Sequence, residues 1–380
     1  MNEFSDKLLA DFRSRGWVTQ PKKKLVIKAL PENLAAQISK SLIEHLTPSI
    51  GPVPVPTPTP TPIPVDPAIQ KWRENMEVFG LQHALAMRDP TISDNDKLAA
   101  YYYDAARVFL QIHAETQSDV FLQAATEAKR VYISYLKSAT TSEGWGGVPG
   151  YWNFPHGLKM FAERGDIEAR EACIKLSQNA AFCRELTNDV AEKTASFERA
   201  REVAYAINAH LCAMELGEPE RPRLRKLIDF ALGHVDQWFV SRTAEWCQPF
   251  MVGLTCEALI AAHKWGQYRR QDIFDAIENC ADGLILGNYV IDGQTKLHFD
   301  AYTYKFWYST VHRHPGQGDE EQHYLTADLN LLICPVIQYG GFAIANEVFE
   351  AGVNGAWLGS AKQFNQNYRW SFDYVNWRGQ

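Results

Sequence analysis

Three stretches of this 380-residue chain place aromatic rings beside carboxylates, amides and histidines. SEGWGGVPGYWNFPHG (142–157) contains Trp145, Tyr151, Trp152, Asn153 and His156; RTAEWCQPF (242–250) contains Arg242, Glu245, Trp246 and Gln248. The stretch 293–323, GQTKLHFDAYTYKFWYSTVHRHPGQGDEEQH, supplies Asp300, Tyr302, Tyr304, Trp307, His312, His314, Asp319, Glu320 and His323. Flat rings beside polar edges suit pyranose sugars, whose C–H face stacks on the ring while amides and carboxylates take the hydroxyls. The alternative is that these rings pack the ends of the fold.

Two chemistries remain open. Glycosidic hydrolysis needs one carboxyl as acid and another as base or nucleophile, roughly 5 to 9.5 Å apart. Glu245 and Asp300 form the first pair, with Asp319 and Glu320 in reserve. Elimination from a uronic acid needs a base such as His or Tyr and a group that neutralises the carboxylate. His156 with Asn153, and Tyr304 with His312 or His314, fill those roles. The HRH run at 312–314 with His323 is a weak metal pattern, and no metal or other cofactor is expected. The chain contains no GxGxxG, GxxxxGK[ST] or GxSxG, so nucleotide binding and serine-hydrolase chemistry find no support.

The elements that must position these residues are helical. Phe121, Ala124, Ala125, Ala128, Val131, Tyr132, Tyr135 and Leu136 recur at three- and four-residue steps. The same holds for Leu224, Leu227, Ile228, Ala231, Leu232 and Val235, and for Ile273, Phe274, Ile277, Cys280, Ala281 and Leu284. Each set is one buried helix face. Between them stand helices apolar on most sides: 201–217, 248–266 and 325–341. The chain thus alternates outer and inner helices. Glycines 165, 217, 266 and 341 close the inner helices at spacings of 52, 49 and 75, and HAETQSD makes the same turn near Thr116. A period of about 50 residues is an αα-hairpin. The excess before Gly341 is the 293–323 stretch, whose alternation reads first as strand and then as loop.

The inner helix QPFMVGLTCEALIAAHKWG, the hairpin REVAYAINAHLCAMELGEPER and the closing KQFNQNYRWSFDYVNWR carry a resemblance to the six-hairpin glycosidase superfamily and to toroidal polysaccharide lyases. It covers about 300 residues and is one of architecture, with no family's catalytic signature matched. It implies an all-α fold: an (α/α)5–6 toroid with a short β/loop insertion, its funnel lined by the loops that lead into the inner helices. The residues named above would then line the funnel, with polysaccharide or oligosaccharide as partner.

Residues 51–67, GPVPVPTPTPTPIPVDP, hold eight prolines. Each fixes φ and biases its predecessor toward extended geometry, so the segment is a stiff spacer of on the order of 50 Å. It divides the chain into a small α/β segment (1–50), the linker (51–67) and the toroid (68–380). About fifty residues make a marginal core, so residues 1–50 are expected to dock on a protein partner. They hold eight Lys or Arg against five Asp or Glu, +3, which leaves −10 of the total −7 for the rest. An acidic body argues against nucleic acid, and no apolar run approaches membrane-spanning length. The seven cysteines are scattered through apolar helices and read as reduced, buried thiols.

No export signal is seen at MNEFSDKLLADFRSRGW. A chain made in the cytoplasm yet suited to sugar polymers fits a bacteriophage virion protein, anchored by its N-terminal piece and carrying a depolymerase. Two alternatives stand: a virion component that binds glycan or protein without cleaving it, and a cytoplasmic enzyme acting on imported oligosaccharides.

Overall fold

The computed structural model describes residues 66–138, 154–180, 182–184, 193–265, 268, 270–286, 289–291, 294–313 and 319–378; within 289–296 and 309–325 it describes the backbone alone. The chain divides after Asp66, and everything below belongs to the unit Pro67–Gln380. The linker through Val65, all of 1–50, and Trp145, Tyr151, Trp152, Asn153 and His314 lie outside the described residues, as do the side chains of His312, Asp319, Glu320 and His323.

The unit is mostly helical. Its helices are α1 (Pro67–Arg88), α2 (Asp94–Tyr101), α3 (Ala105–Thr116), α4 (Asp119–Ser138), α5 (Pro155–Ala162), α6 (Ile167–Asn179), α7 (Ala200–Glu215), α8 (Pro222–Val235), α9 (Pro249–Lys264), α10 (Gln271–Ile285), α11 (Asn330–Tyr339), α12 (Ala345–Gly355) and α13 (Ala361–Arg378). Proline opens α1, α5, α8 and α9, where its missing N–H has no intrahelical partner to lose. Ser93 and Asp166 cap α2 and α6 through their side chains.

Two kinds of helix alternate, as the apolar patterns require. In α7, α9 and α11 nearly every residue is buried; α8, α10 and α12 bury one face each. The buried-all-round helices therefore need neighbours on every side. Following α3, α5, α7, α9, α11 and α13 in chain order, each packs against the next, and α13 packs back against α3. Helices α4, α6, α8, α10 and α12 each pack on the member of that series that precedes them, while α1 packs on α4, α12 and α13. The turns that end α5, α7 and α11 have Gly165, Gly217 and Gly341 at φ +90°, +94° and +83°, and Gln117 takes the left-handed position after α3 at φ +56°. A Cβ is strained there, which explains the recurring glycine.

Between α10 and α11 the chain forms a four-stranded antiparallel meander: β1 (Tyr289–Ile291), β2 (Gln294–Asp300), β3 (Lys305–Arg313) and β4 (Asp319–Thr326). Phe299 pairs with Phe306 and Leu297 with Tyr308; Leu297, Phe299 and Phe306 are buried, and β2 rests on α10. The sequence pattern reads the later part of 293–323 as loop, yet Asp319–Thr326 pairs with β3 along its whole length. A polar run makes a strand when a partner strand supplies its backbone hydrogen bonds.

Trp72 ties the first helix of the unit to the last. Its ring is stacked on Tyr368 at 5.6 Å and meets Phe372 edge-on at 4.7 Å, and its Nε1 donates to Ser371 Oγ at 3.0 Å. Replacing it with alanine, Trp72→Ala, is expected to cost about 3–5 kcal/mol, read as a lower urea midpoint at unchanged slope.

Candidate functional site

Charged side chains of α3, α9 and α13 converge at one place. Glu257, in the middle of α9 and 4% exposed, accepts from Arg107 Nη1 (α3) at 2.9 Å through Oε1 and from Arg369 Nη2 (α13) through Oε2. Burial pushes the Glu257 carboxyl up, but the two guanidinium charges outweigh it and hold the group below its ordinary value. Glu257 is therefore a fixed anion with both oxygens engaged.

Arg107 carries a second carboxyl. Its Nη2 lies 3.3 Å from Asp373 Oδ2, one helical turn beyond Arg369 on α13. The Asp373 side chain is 42% exposed, so solvent reaches it, yet it sits in a recess where burial and the neighbouring Glu257 raise its pKa against the pull of Arg107, Lys264 and Lys159. One carboxyl held ionised and one held toward its acid form thus share a single guanidinium.

The third component lies where α3 and α5 begin. Asp104 caps α3 in the left-handed region, φ +63°, which aspartate tolerates better than most residues. Its carboxylate accepts from the Arg107 N–H at 3.2 Å and the Gly157 N–H at 3.1 Å. A Cβ on Gly157 would stand 2.5 Å from Asp104 Oδ1 and 2.7 Å from Arg107 N, so only glycine admits this approach. Burial pushes Asp104 up to about 6 despite these donors. Beside it, His156 Nδ1 is 3.9 Å from Asp104 Oδ2, beyond hydrogen-bond reach, and has no partner among the described residues. Burial first, then the charges of Arg107, Arg369 and Lys159, keep this imidazole well below 6.5 and neutral at pH 7. Lys159, one turn on, is paired with Glu215 of α7.

On α7, Tyr205, Asn208 and Cys212 share a face by their three- and four-residue steps. Tyr205 lies 5.7 Å from the Arg369 guanidinium, and burial first, then the neighbouring Cys173 and Glu215, push the Cys212 thiol well above its ordinary value. Asn208 between them is fully buried, and its amide has no protein partner among the described residues. Such a group ordinarily bonds to something, and a polar ligand or ordered water would serve.

Among the described residues singled out from the sequence, only His156 belongs to this cluster. Asp300 builds its own turn: Oδ1 accepts from the Tyr302 N–H and Oδ2 from the Thr303 hydroxyl, both at 2.9 Å. Tyr304 follows at φ +54°, and its carbonyl accepts from Asn330. Trp307 lies in β3 opposite His298 of β2, partly exposed. Glu245 and Arg242 are exposed, Gln248 is buried at the start of α9, and Trp246 meets Phe197 edge-on at 4.8 Å. His210 is a core residue bonded to the Cys183 carbonyl, and His263 is half-buried with its ring bonded to the Tyr339 hydroxyl. All seven cysteines are buried and unpaired. No group of side chains with metal-ligand geometry occurs among the described residues, and no helix there is long and apolar enough to cross a membrane.

Arg107, Glu257, Arg369 and Asp373 were missed by reading the loops. Their signal was a lone charge in an apolar helix: Glu257 in LTCEALIAA, Arg107 in AARVFLQIH. A charge buried on all sides must be paired. Comparison with protein-family models, curated proteins and solved structures finds no match for the chain.

Two outcomes test the electrostatics. Glu257→Gln leaves the buried Arg369 without its anion and Arg107 with Asp373 alone, and is expected to cost about 3–5 kcal/mol, measured by chemical denaturation. For Asp104 the folded value of about 6 lies above the ordinary 3.8, so the native state holds a proton the unfolded chain releases. Its contribution is complete in acid and disappears as pH rises from about 4 to about 6, a change on the order of 3 kcal/mol. Melting curves of wild type and Asp104→Asn should differ most in favour of wild type near pH 4, and the advantage should shrink by pH 7.

Proposed function

We propose that Pro67–Gln380 is a closed (α/α)6 barrel of the six-hairpin kind and that its interior cleaves a polysaccharide. The cycle of packing from α3 through α13 and back supports the barrel. The cleavage reading rests on one observation: the solvent-reached carboxyl of Asp373 lies 3.3 Å from the Arg107 guanidinium, in the same cluster as the imidazole of His156, where burial raises the pKa of the carboxyl and lowers that of the ring. An acid that protonates the departing glycosidic oxygen and a neutral base are what bond cleavage between sugars requires. His156 would take the proton of an attacking water in hydrolysis, or the proton α to the carboxylate in elimination from a uronic acid. In either chemistry Glu257 does not react; it fixes Arg107, and Arg107 fixes Asp373.

The buried unpartnered amide of Asn208 adds a polar contact of the type a hydroxylated ligand uses. With the Pro-rich linker and the basic N-terminal segment, the chain reads as a depolymerase attached to a larger particle, a bacteriophage virion being the setting that fits a sugar-directed protein whose cysteines are unpaired.

The test is product release from a panel of capsular, alginate-like and neutral polysaccharides, following reducing ends together with the ultraviolet absorbance of unsaturated uronate. Absorbance marks elimination; reducing ends without it mark hydrolysis. Asp373→Asn and His156→Ala should each lower the rate by about 10²-fold or more. Because Asp373 acts as the acid, activity should fall as pH rises through its raised pKa, read as the basic limb of the pH–rate profile, and Asp373→Asn should lose that limb. Binding without release of ends would leave a glycan-binding virion component instead, and full activity in both variants would overturn the site.

A further inference from the structure

We propose that the saccharide reaches this cluster from the end of the unit where the hairpin turns lie, across a subsite for a pyranose ring built from Trp377, Tyr339, Lys264 and Asp373. This rests on the saccharide reading and adds where the chain is gripped. The loops leading into the inner helices pointed to the opposite end.

Lys264 is the last residue of α9, Tyr339 the last of α11, and Trp377 the last but one of α13. Three neighbouring helices therefore deliver side chains to one spot. The Lys264 ammonium stands 3.8 Å from the Trp377 ring centroid and 6.0 Å from that of Tyr339, and the two rings are 6.0 Å apart at 54°. Tyr339 is held by its hydroxyl, 2.8 Å from His263 Nδ1. Asp373 is one turn before Trp377, on the same side of α13, and its carboxyl continues inward through Arg107 to Glu257. A path of named contacts thus runs from the aromatic shelf to the interior.

The shelf has the parts a pyranose needs. The ring faces take the C–H surface, and the amine and carboxyl take hydroxyls. Lys264 is exposed and makes no ion pair within 4 Å among the described residues; its amine rests on the indole, and burial against it lowers its pKa, with the charge of Asp373 opposing. A cation–π contact at an exposed site is weak, so a sugar can displace the amine from the ring face and then be bonded by it. A lysine shielding an indole for packing alone would not require a solvent-reached carboxyl one turn away that leads to a buried ion cluster.

The test uses the full chain with cellohexaose, chitohexaose and hexagalacturonate as calorimetric probes. At least one should bind wild type, and Trp377→Ala should weaken it about tenfold or more, whereas Trp246→Ala should stay within about twofold. On unmutated protein, the same probe at saturation should protect Lys264 from acetic anhydride, read by mass spectrometry; this arm holds even if Trp377→Ala fails to fold. Loss of binding in Trp246→Ala with Trp377→Ala unaffected, or Lys264 labelled equally with and without probe, would overturn this route and leave the saccharide reading intact. Failure of all three probes to bind, with no product from the polysaccharide panel, would overturn the saccharide reading itself.

Discussion

A carboxylate clasped by two guanidinium groups in the middle of the protein sets the terms for everything around it. Glu257, Arg107 and Arg369 come from three helices, and each is almost wholly withdrawn from water. Taking such ions out of solvent costs several kcal/mol apiece, and their attraction repays this only when geometry and hydrogen bonding are complete. An apolar triad of the same volume would hold the helices together as well or better. Packing therefore does not call for the cluster, whereas a fixed arginine beside Asp373 does.

The surrounding residues follow from that constraint. Arg107 can present its second nitrogen to Asp373 only because Glu257 immobilises the first. The positive field of Arg107, Arg369 and Lys159 keeps His156 from taking up a proton, while burial keeps Asp373 and Asp104 from giving theirs up readily. Opposite protonation preferences thus coexist within a few side chains. Asp104 adds mechanical precision: by accepting from both the Arg107 and the Gly157 backbone it fixes the start of α3 against the start of α5, and so the position of His156 relative to Arg107.

The aromatic residues divide by environment. Trp72, Tyr132 and Tyr368 are sealed in the core, where their polar atoms are bonded to Ser371 Oγ, the Tyr101 carbonyl and the Trp72 carbonyl. Trp377 and Tyr339, partly exposed beside a lysine and a carboxyl, have the mixed surroundings of a binding shelf. Ring count alone does not separate these groups; the neighbours of each ring do.

The sequence by itself determined the helical class, the alternation of one-faced and all-round buried helices, the turns near 117, 165, 217 and 341, and the strand character of 294–313. These properties are local: period, left-handed turn positions and β-branched or aromatic alternation are written within a few residues. Whether the polar run at 319–326 forms a strand was not local, since β3 supplies its hydrogen bonds. The cluster was not local either. Arg107 and Glu257 are 150 positions apart, Glu257 and Arg369 are 112, and Asp104 meets Gly157 across 53. A charge inside an apolar helix announces that a partner must exist, but helix periodicity carries no information about which distant helix provides it. Only the packing of α3, α9 and α13 against their neighbours decided that, because the partner of a buried charge is set by which helices meet.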